Sequence, residues 1–341
     1  MRHTVIPIFI PHKGCPFDCI YCNQKAISGE MSEMTVERMR EIIEEHLATI
    51  SEDTCVEIGF YGGSFTGIDK DQQILFLQAA NEYFTPGRVR SIRLSTRPDY
   101  ITGEILEYLR AYNVKTIELG AQSLDRMVLA KSCRGHSIED VETASILIKE
   151  FGFELGIQTM IGLPEDDVGK ALDTAKRVIR MKPDVVRIYP TLIIKGTFLE
   201  KMYRSGEYNP LTLENAVGLC AQLLDLYEMN GIQVIRVGLQ PTDAINENMD
   251  VVAGPFHPAF RQLVESKRML SRMIEVIQAA NLENSQGIEI YASSSDISNV
   301  VGQKRSNIEE LKSRYGFEIV KVRSHEMLKH KQIRLKIIGK I

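Results

Sequence analysis

The stretch Cys15-Pro16-Phe17-Asp18-Cys19-Ile20-Tyr21-Cys22 places three thiols within eight residues, directly after the apolar run 5–10. Spacers of three and two residues let one loop turn its sulfur atoms toward one metal centre, and thiolates suit iron–sulfur clusters or zinc. A structural zinc site has a fourth ligand, whereas a working centre keeps one position open. His12 lies only three residues before Cys15 and would crowd the same turn. The motif favours a 4Fe-4S cluster with one free iron, with zinc as the alternative.

Composition is that of an ordinary globular protein, because 44% of the 341 residues are hydrophobic and 25% are charged. No apolar run reaches the roughly 18 residues that a membrane span needs, and no small-residue cleavage site follows residues 1–10. Three further cysteines, Cys55, Cys133 and Cys220, are scattered along the chain, as expected of packing residues in a reducing compartment. These features predict a cytoplasmic protein that has no membrane partner.

Strand-like runs alternate with amphipathic segments through the first two thirds of the chain. The predicted strands are 4–10, 56–61, 91–95, 116–120, 154–161 and 185–189, and the main predicted helices are 35–50, 72–84, 102–112, 137–151 and 166–181. This alternation implies parallel strands with helical crossovers, which predicts the α/β class and a partial TIM-type (β/α)6 barrel. A strand over 233–239 is expected to extend the sheet. In such barrels the active site lies at the carboxyl ends of the strands.

Chemically unusual stretches follow the predicted strands. They are Gly62-Gly63-Ser64-Phe65, Ser95-Thr96-Arg97-Pro98-Asp99, Gly120-Ala121-Gln122-Ser123 and, one turn-rich segment later, Arg134-Gly135-His136. A glycine pair lets the backbone approach a ligand closely, arginine pairs with carboxylates, and glutamine can hold a ribose hydroxyl or a carboxylate oxygen. Alone, a glycine pair is usually a turn and an arginine usually a solvated charge. Their shared position at strand ends predicts one site beside the cysteines.

The cysteine spacing, with an aromatic residue before the last thiol, resembles that of the radical S-adenosylmethionine (SAM) enzymes. The resemblance implies that Cys15, Cys19 and Cys22 hold a 4Fe-4S cluster whose free iron binds the methionine moiety of SAM. Electron transfer then cleaves SAM to a 5'-deoxyadenosyl radical, which requires an electron donor such as flavodoxin or ferredoxin. The implied SAM-binding residues are Tyr21, Gly62, Gly63, Ser64, Phe65, Ser95, Thr96, Arg97, Gln122, Arg134 and Gln158. Tyr189 is a candidate catalytic residue, with a structural tyrosine anchored by Pro190 as the equal alternative.

Several stretches resemble the radical SAM domain of the catalytic subunit of Elongator, which modifies wobble uridines in tRNA. They are 96–99, 120–123, 134–136, 188–192 and 195–197, and the resemblance spans roughly residues 1–240. Three features depart from that pattern. The cysteine spacing is narrower here, Ser95 stands where relatives commonly have Glu, and no acetyltransferase domain follows the barrel. The acetyl-CoA step of the Elongator reaction is therefore not expected.

Residues 286–341 contain 11 Lys plus Arg and 6 Asp plus Glu, a net charge of +5, so residues 1–285 carry −9 of the total −4. A basic segment on an acidic enzyme suggests a polyanionic partner. Its strand–helix–helix–strand–strand order resembles a KH-type RNA-binding domain, with Gly302, Lys304 and Arg305 in the loop that contacts RNA and Arg305 in place of its second glycine. We therefore expect a radical SAM barrel (1–240), a connecting or lid segment with a helix (241–285) and a KH-like domain (286–341). An enzyme acting on a tRNA base is favoured; the alternative acts on a small molecule or peptide and uses the last domain for protein interaction.

Overall fold

A computed structural model describes residues 3–10, 15, 19–23, 34–84, 88–239, 250–282 and 286–338. Two compact units are present: 1–216 together with 223–258, and 217–222 together with 259–341. His12 lies outside the described residues, as do residues 240–249 and 283–285. Among the helices of the described ranges, none combines the length and the apolar character needed to cross a membrane.

A curled parallel sheet of seven strands forms the first unit. Its strands are β1 (His3–Phe9), β2 (Cys55–Tyr61), β3 (Val89–Thr96), β4 (Val114–Gln122), β5 (Glu154–Ile161), β6 (Val185–Pro190) and β8 (Gln233–Val237). They pair in the order β1-β2-β3-β4-β5-β6-β8, and every pairing is parallel. The predicted partial (β/α) barrel is confirmed, including the strand that extends the sheet beyond β6. A short antiparallel pair that the sequence did not suggest joins β7 (Ile193–Ile194) to β9 (Val251–Ala253).

Helices connect successive strands of this sheet. They are α1 (Val36–Thr49), α2 (Lys70–Asn81), α3 (Gly103–Ala111), α4 (Arg126–Lys131), α5 (Ile138–Glu150), α6 (Val168–Met181), α7 (Phe198–Ser205) and α8 (Leu213–Met229). The polar residue before most of them satisfies a free backbone amide of the first turn. Thr35 accepts a hydrogen bond from the amide of Arg38, as its sequence position predicts, and Ser137 forms a reciprocal capping box with Asp140.

The two faces of the sheet differ in polarity because successive side chains of a strand point to opposite sides. The face that carries Ile58, Leu94, Ile117, Ile157 and Ile188 is aliphatic, and these five side chains are fully buried or nearly so. Such burial is expected where crossover helices cover a parallel sheet. The opposite face carries small, polar and charged residues. This second face continues directly into the strand ends where the sequence predicts the active site.

The C-terminal unit contains a three-stranded mixed sheet and three helices. Its elements are α9 (Phe260–Ala279), β10 (Gly287–Ala292), α10 (Ile297–Val301), α11 (Ser306–Tyr315), β11 (Ile319–Ser324) and β12 (Ile333–Ile337). Strand β10 is central, parallel to β11 and antiparallel to β12. The predicted order of strands and helices after residue 286 is confirmed. The helix expected within 241–285 is α9, which begins at Phe260, and Met269, Met273 and Ile277 on it join the core of this unit.

Candidate active site

The cysteine loop follows β1, and its second half is attached to two other parts of the barrel. The amide of Cys22 donates to the carbonyl of Cys19 at 2.9 Å, which forms a tight turn. Within that turn, the Ile20 amide donates to the Ser132 carbonyl at 3.3 Å, and the Ile20 carbonyl accepts from the Leu199 amide at 2.8 Å. The side chain of Ile20 is buried in a small apolar cluster that includes Leu199. These contacts hold Cys19 at the carboxyl edge of the sheet.

Arg134 lies against this turn and is buried. Its Nη1 is 3.3 Å from the Cys19 sulfur, and its Nη2 donates to the Gly120 carbonyl at 2.5 Å. The guanidinium thus links the cysteine loop to the end of β4. Burial raises the pKa of the Cys15 thiol, while the charge of Arg134 acts in the opposite direction. A fixed cation beside thiols favours their thiolate form, which is the form that binds metals.

A second arginine holds the backbone that carries Arg134. Arg97 is only 2% exposed. Its Nη1 donates to the Arg134 carbonyl at 2.8 Å, while Nε and Nη2 donate to the two carboxylate oxygens of Asp99 at 2.9 and 2.8 Å. The Arg97 amide also donates to Ser64 Oγ at 3.2 Å, which links the ends of β2 and β3. A buried bidentate ion pair of this kind fixes side-chain geometry, so Arg97 acts on the site through Arg134.

Gln122 ends β4 in a left-handed conformation with φ +66°, where the pairing with β5 skips one residue. Bulges of this kind redirect a side chain and are common beside active sites. Within the described ranges, Gln122 Oε1 and Arg134 Nε are buried without a hydrogen-bond partner. Gly120 leaves room for both side chains, since a Cβ at this position would lie 2.7 Å from Arg134 Nη2 and 3.2 Å from Gln122 Nε2. An unsatisfied buried acceptor and an unsatisfied buried donor, on two side chains that both border Gly120, indicate a place for a polar ligand.

The segment after β2 forms a turn beside the same edge. Gly62 has φ +99°, and a Cβ on it would lie 3.3 Å from the backbone of Ile10, so the glycine is required. Ser64 and Thr66 both hydrogen-bond Thr96 Oγ1, at 2.8 and 2.6 Å, which fixes the turn to the end of β3. A hollow with about 170 Å³ of empty space, its open mouth included, is lined there by Ile10, Phe60, Tyr61, Gly63, Ser64, Phe65, Ile68 and Ser95.

Charged side chains from four adjacent or near-adjacent strands form a belt across the polar face of the sheet. We define the charged belt as Glu57, Arg93, Glu118 and Arg187. Arg93 contacts Glu57 at 2.6 Å and Glu118 at 3.1 Å, and Arg187 contacts Glu118 at 2.5 Å. Burial raises the pKa of Glu118, but the two arginines outweigh burial and leave this pKa below its ordinary value. The belt balances two anions with two cations, and none of its members was predicted as a site residue.

Two known domain families match the sequence of this chain. The sequence profile of the radical SAM superfamily matches residues 9–178, and that of the Radical SAM C-terminal domain matches residues 183–270. The chain belongs to the radical SAM superfamily. Its members are enzymes, so this radical SAM protein is one as well, and the predicted relationship to the catalytic subunit of Elongator is confirmed by the relatives.

Among the curated relatives, the tRNA uridine(34) acetyltransferase of Methanocaldococcus jannaschii is 33% identical over 133 residues, which cover 38% of this chain and 25% of the relative. Elongator complex protein 3 of Saccharomyces cerevisiae is 29% identical over 178 residues, covering 51% and 31%. Only about a quarter to a third of the length of these relatives is therefore matched. The structure of Methanocaldococcus infernus Elp3 with its N-terminus deleted has a TM-score of 0.62 at 22% identity, over 82% of this chain and 63% of that one, which supports the fold.

The remaining predicted site residues lie at different depths of the radical SAM barrel. Ser95 Oγ contacts the Phe60 carbonyl at 3.5 Å beside the hollow. Gln158 faces the interior, but its Nε2 donates to Glu118 at 3.0 Å, so its amide is engaged with the charged belt. Burial raises the pKa of Tyr189, whose neighbour Arg187 opposes the shift. The Tyr21 phenol is buried near Arg134 and the thiols, and burial raises its pKa as well.

The predicted RNA-binding loop forms a turn between α10 and α11. Gly302 is needed there, because its φ is +75° and a Cβ would lie 2.5 Å from Ser306 Oγ. Lys304 and Arg305 are exposed and both adopt left-handed backbone, with φ +51° and +64°. Arg305 therefore adopts the left-handed backbone conformation that glycine adopts most readily. Its side chain extends into solvent at this turn.

A radical SAM fold implies a 4Fe-4S cluster and SAM, and the residues at the strand ends fit both. In the described part of the chain no three His, Cys, Asp or Glu side chains are gathered closely enough to hold a metal ion. The donor set nevertheless suits an iron–sulfur centre, because three thiols share one loop beside the buried cation Arg134. The unsatisfied Gln122 Oε1 and Arg134 Nε suit the polar groups of an amino acid or ribose.

Proposed function

We propose that this protein is a radical SAM enzyme that modifies a base in RNA, with tRNA as the substrate. The buried Arg134 carries the proposal, since it joins Cys19 to Gly120 and leaves Nε facing no described partner beside Gln122. The relatives named tRNA uridine(34) acetyltransferase support the choice of tRNA. The lengths matched are short, so the acetyl transfer in their name is not part of the proposal.

Cys15, Cys19 and Cys22 would hold a 4Fe-4S cluster. When bound, this cluster supplies the electron that cleaves SAM to a 5'-deoxyadenosyl radical. The chain's own groups orient SAM: Arg134 and Gln122 would hold its carboxylate and ribose. Nη1 and Nη2 of Arg134 each have one protein partner, whereas Nε has none among the described residues and is a donor available to the ligand. The other residues predicted to contact SAM are the backbone of Tyr21 and Gly62, Gly63, Ser64 and Phe65, together with Ser95, Thr96, Arg97 and Gln158.

The interior below this edge would receive the substrate base. Tyr189 faces it and is proposed as a relay for a substrate radical, with Arg187 near its hydroxyl. Burial keeps its phenol protonated, so it would offer a hydrogen atom or a hydrogen bond rather than a negative charge. The reductant is proposed to be a flavodoxin or ferredoxin. A tRNA substrate places the reaction in the cytoplasm.

We assign three domains: a barrel (1–240), a connecting segment (241–285) and a C-terminal KH-like domain (286–341), which is proposed to capture the RNA. Its net charge of +5 suits a polyanion. Lys304 and Arg305 at the turn after Gly302 are exposed and would contact phosphates. The left-handed backbone of both residues keeps this turn tight although Arg305 replaces a glycine.

The decisive experiment is a mass-spectrometric comparison of tRNA nucleosides from cells with and without this gene. One modified nucleoside should disappear and return with the parent copy, but not with a Cys19→Ala copy. Cys55→Ala is the control, because Cys55 is partly buried and lies outside the cysteine loop. This control copy should restore the nucleoside. Identical nucleoside profiles would refute tRNA as the substrate and direct the search to small molecules and peptides.

A further inference from the structure

The C-terminal sheet has two faces of opposite chemistry. Ile288, Ile290 and Ala292 of β10 are fully buried against the helices, together with Val300 of α10 and Leu311 of α11. Alternation along the strand sends Glu289 and Tyr291 to the other side. We call that side the outer face. The helix layer, and with it the turn at Gly302, belongs to the opposite side of the sheet.

Strand register arranges the outer face in two rows. Glu289 on the central strand is flanked by Lys321 on β11 and Lys336 on β12. Tyr291 is flanked in the same way by Arg323 and Arg334. All four basic residues are exposed. Both outer strands thus present a pair of cations, and the two rows together carry a net charge of +3.

Glu289 accepts hydrogen bonds from side chains of this face, and the face keeps a net positive charge. Arg323 Nε donates to Glu289 Oε1, and the Tyr291 hydroxyl donates to Oε2 at 2.6 Å. The bond from Tyr291, followed by that from Arg323, lowers the pKa of Glu289, so the carboxylate stays ionised. Arg323 remains 62% exposed, with its other donors available. Exposed ion pairs add little stability, so folding alone does not explain why four cations flank Glu289 and Tyr291 on this face.

An aromatic ring among cations is the arrangement that binds single-stranded nucleic acid, because bases stack on the ring and phosphates pair with the cations. The ring of Tyr291 is held in place by its hydroxyl bond and by His325, whose ring centroid lies 5.9 Å away at an edge-on angle of 87°. We propose that the outer face binds a single-stranded segment of RNA, with a base on Tyr291 and phosphates on Lys321, Lys336, Arg323 and Arg334. This inference rests on the proposed function, because it assumes that the substrate is RNA.

The test is fluorescence anisotropy with the full-length, cluster-reconstituted protein and a labelled, unstructured 12-nucleotide RNA. Lys321→Gln/Lys336→Gln should weaken binding at least tenfold and reduce the slope of log affinity against log salt by about 1.4, the value for two lost phosphate contacts on a single strand. The matched control, Lys312→Gln/Arg314→Gln, removes two charges from α11 and should change binding less than twofold. Thermal melts should show parent-like folding for both variants, since the altered side chains lie on the surface.

Aromatic variants separate stacking from simple charge attraction. Tyr291→Ala should lose about tenfold in affinity, within the range for one stacked base, whereas Tyr291→Phe keeps the ring and should bind nearly as the parent does. Equal binding by these two variants would refute stacking, and competition by polyglutamate as effective as by RNA would refute an RNA-specific face.

Failure of the outer-face proposal and failure of the proposed function give different results. If the parent protein does not bind the 12-nucleotide RNA, the outer-face proposal fails, and the nucleoside comparison decides the proposed function separately. If the parent binds RNA and the Lys321/Lys336 variant binds equally well, the outer face is not the site. In that case the proposed function stands, and Lys304→Gln/Arg305→Gln, which alters the turn after Gly302, should be the variant that weakens binding.

Discussion

Replacing Glu118 by glutamine should destabilise the barrel by about 3 kcal/mol. The side chain of Glu118 is 1% exposed and accepts hydrogen bonds from Arg93 at 3.1 Å, Arg187 at 2.5 and 2.9 Å, and Gln158 at 3.0 Å. Removing one partner of a buried ion pair typically costs about 3–5 kcal/mol, because the other charge is left uncompensated. Arg93 keeps its 2.6 Å contact with Glu57, so Arg187 is the main stranded cation and the lower end of that range applies.

Urea unfolding is the appropriate assay, followed by far-ultraviolet circular dichroism because the chain has no tryptophan. With an m-value of about 3 kcal/mol/M, a loss of 3 kcal/mol lowers the midpoint of the barrel transition by about 1 M. Glu104→Gln is the control. Glu104 pairs with Lys70 at 2.8 Å on the surface, and breaking that exposed pair should leave the midpoint unchanged.

A double variant tests the reason for the loss. If the cost of Glu118→Gln comes from a stranded cation, then adding Arg187→Gln should recover part of the lost stability. Lowering the pH should also reduce the difference in free energy of unfolding between the parent and the single variant. The folded pKa of Glu118 lies below its unfolded value of about 4.3, so its stabilisation is present above pH 4.3 and is lost as the pH falls through the folded pKa. A midpoint shift below about 0.3 M, or a double variant less stable than the single one, would refute this account of the belt.

Three further predictions concern the site and its surroundings. Arg134→Lys removes a guanidinium donor 3.3 Å from Cys19, so a redox titration followed by electron paramagnetic resonance should show a cluster potential lower by on the order of 50 mV; an unchanged potential would contradict this contact. Gly120→Ala should displace Arg134 and weaken SAM binding about tenfold by calorimetry, whereas Gly218→Ala, where a Cβ meets nothing, should not. Burial raises the pKa of Asp166 to about 6, so the stabilisation of its protonated form is lost as the pH rises through 6. The urea-unfolding midpoint of Asp166→Asn should therefore rise relative to that of the parent between about pH 4 and pH 7. A difference between the two midpoints that does not change with pH would exclude this titration.

The sequence predicted most of the barrel because each strand is a short aliphatic run followed by a capped amphipathic helix. It also placed Gln122 and Arg134 near the cysteines, through motif order. It did not predict that Arg134 touches Cys19, because the two lie 115 residues apart and their contact depends on where α4 ends. Nor did periodicity predict the left-handed backbone of Gln122, which comes from a bulge between β4 and β5.

The charged belt was missed although a signal for it exists. In each of its four strands one charge stands between two aliphatic residues: Val56-Glu57-Ile58, Ile92-Arg93-Leu94, Ile117-Glu118-Leu119 and Val186-Arg187-Ile188. Because neighbouring side chains of a strand point to opposite faces, each of these charges lies on the face opposite the aliphatic layer. Which charges meet depends on register, and the register shifts by one residue beside Glu57 and again beside Arg93. Such irregularities result from tertiary packing, so the pattern alone predicts a polar interior but not its pairs.

Position along the strands gives the belt a role beneath the candidate site. Glu118 precedes Gly120 by two residues, Arg93 precedes Ser95 by two, and Arg187 precedes Tyr189 by two. Side chains two apart share a face and are about 7 Å apart, so the belt forms a layer directly below the strand ends. Because its two anions and two cations pair with each other, this layer adds little net charge to the site above. As long as the belt is intact, the charge that a bound anion meets there is set by Arg134 and the thiols.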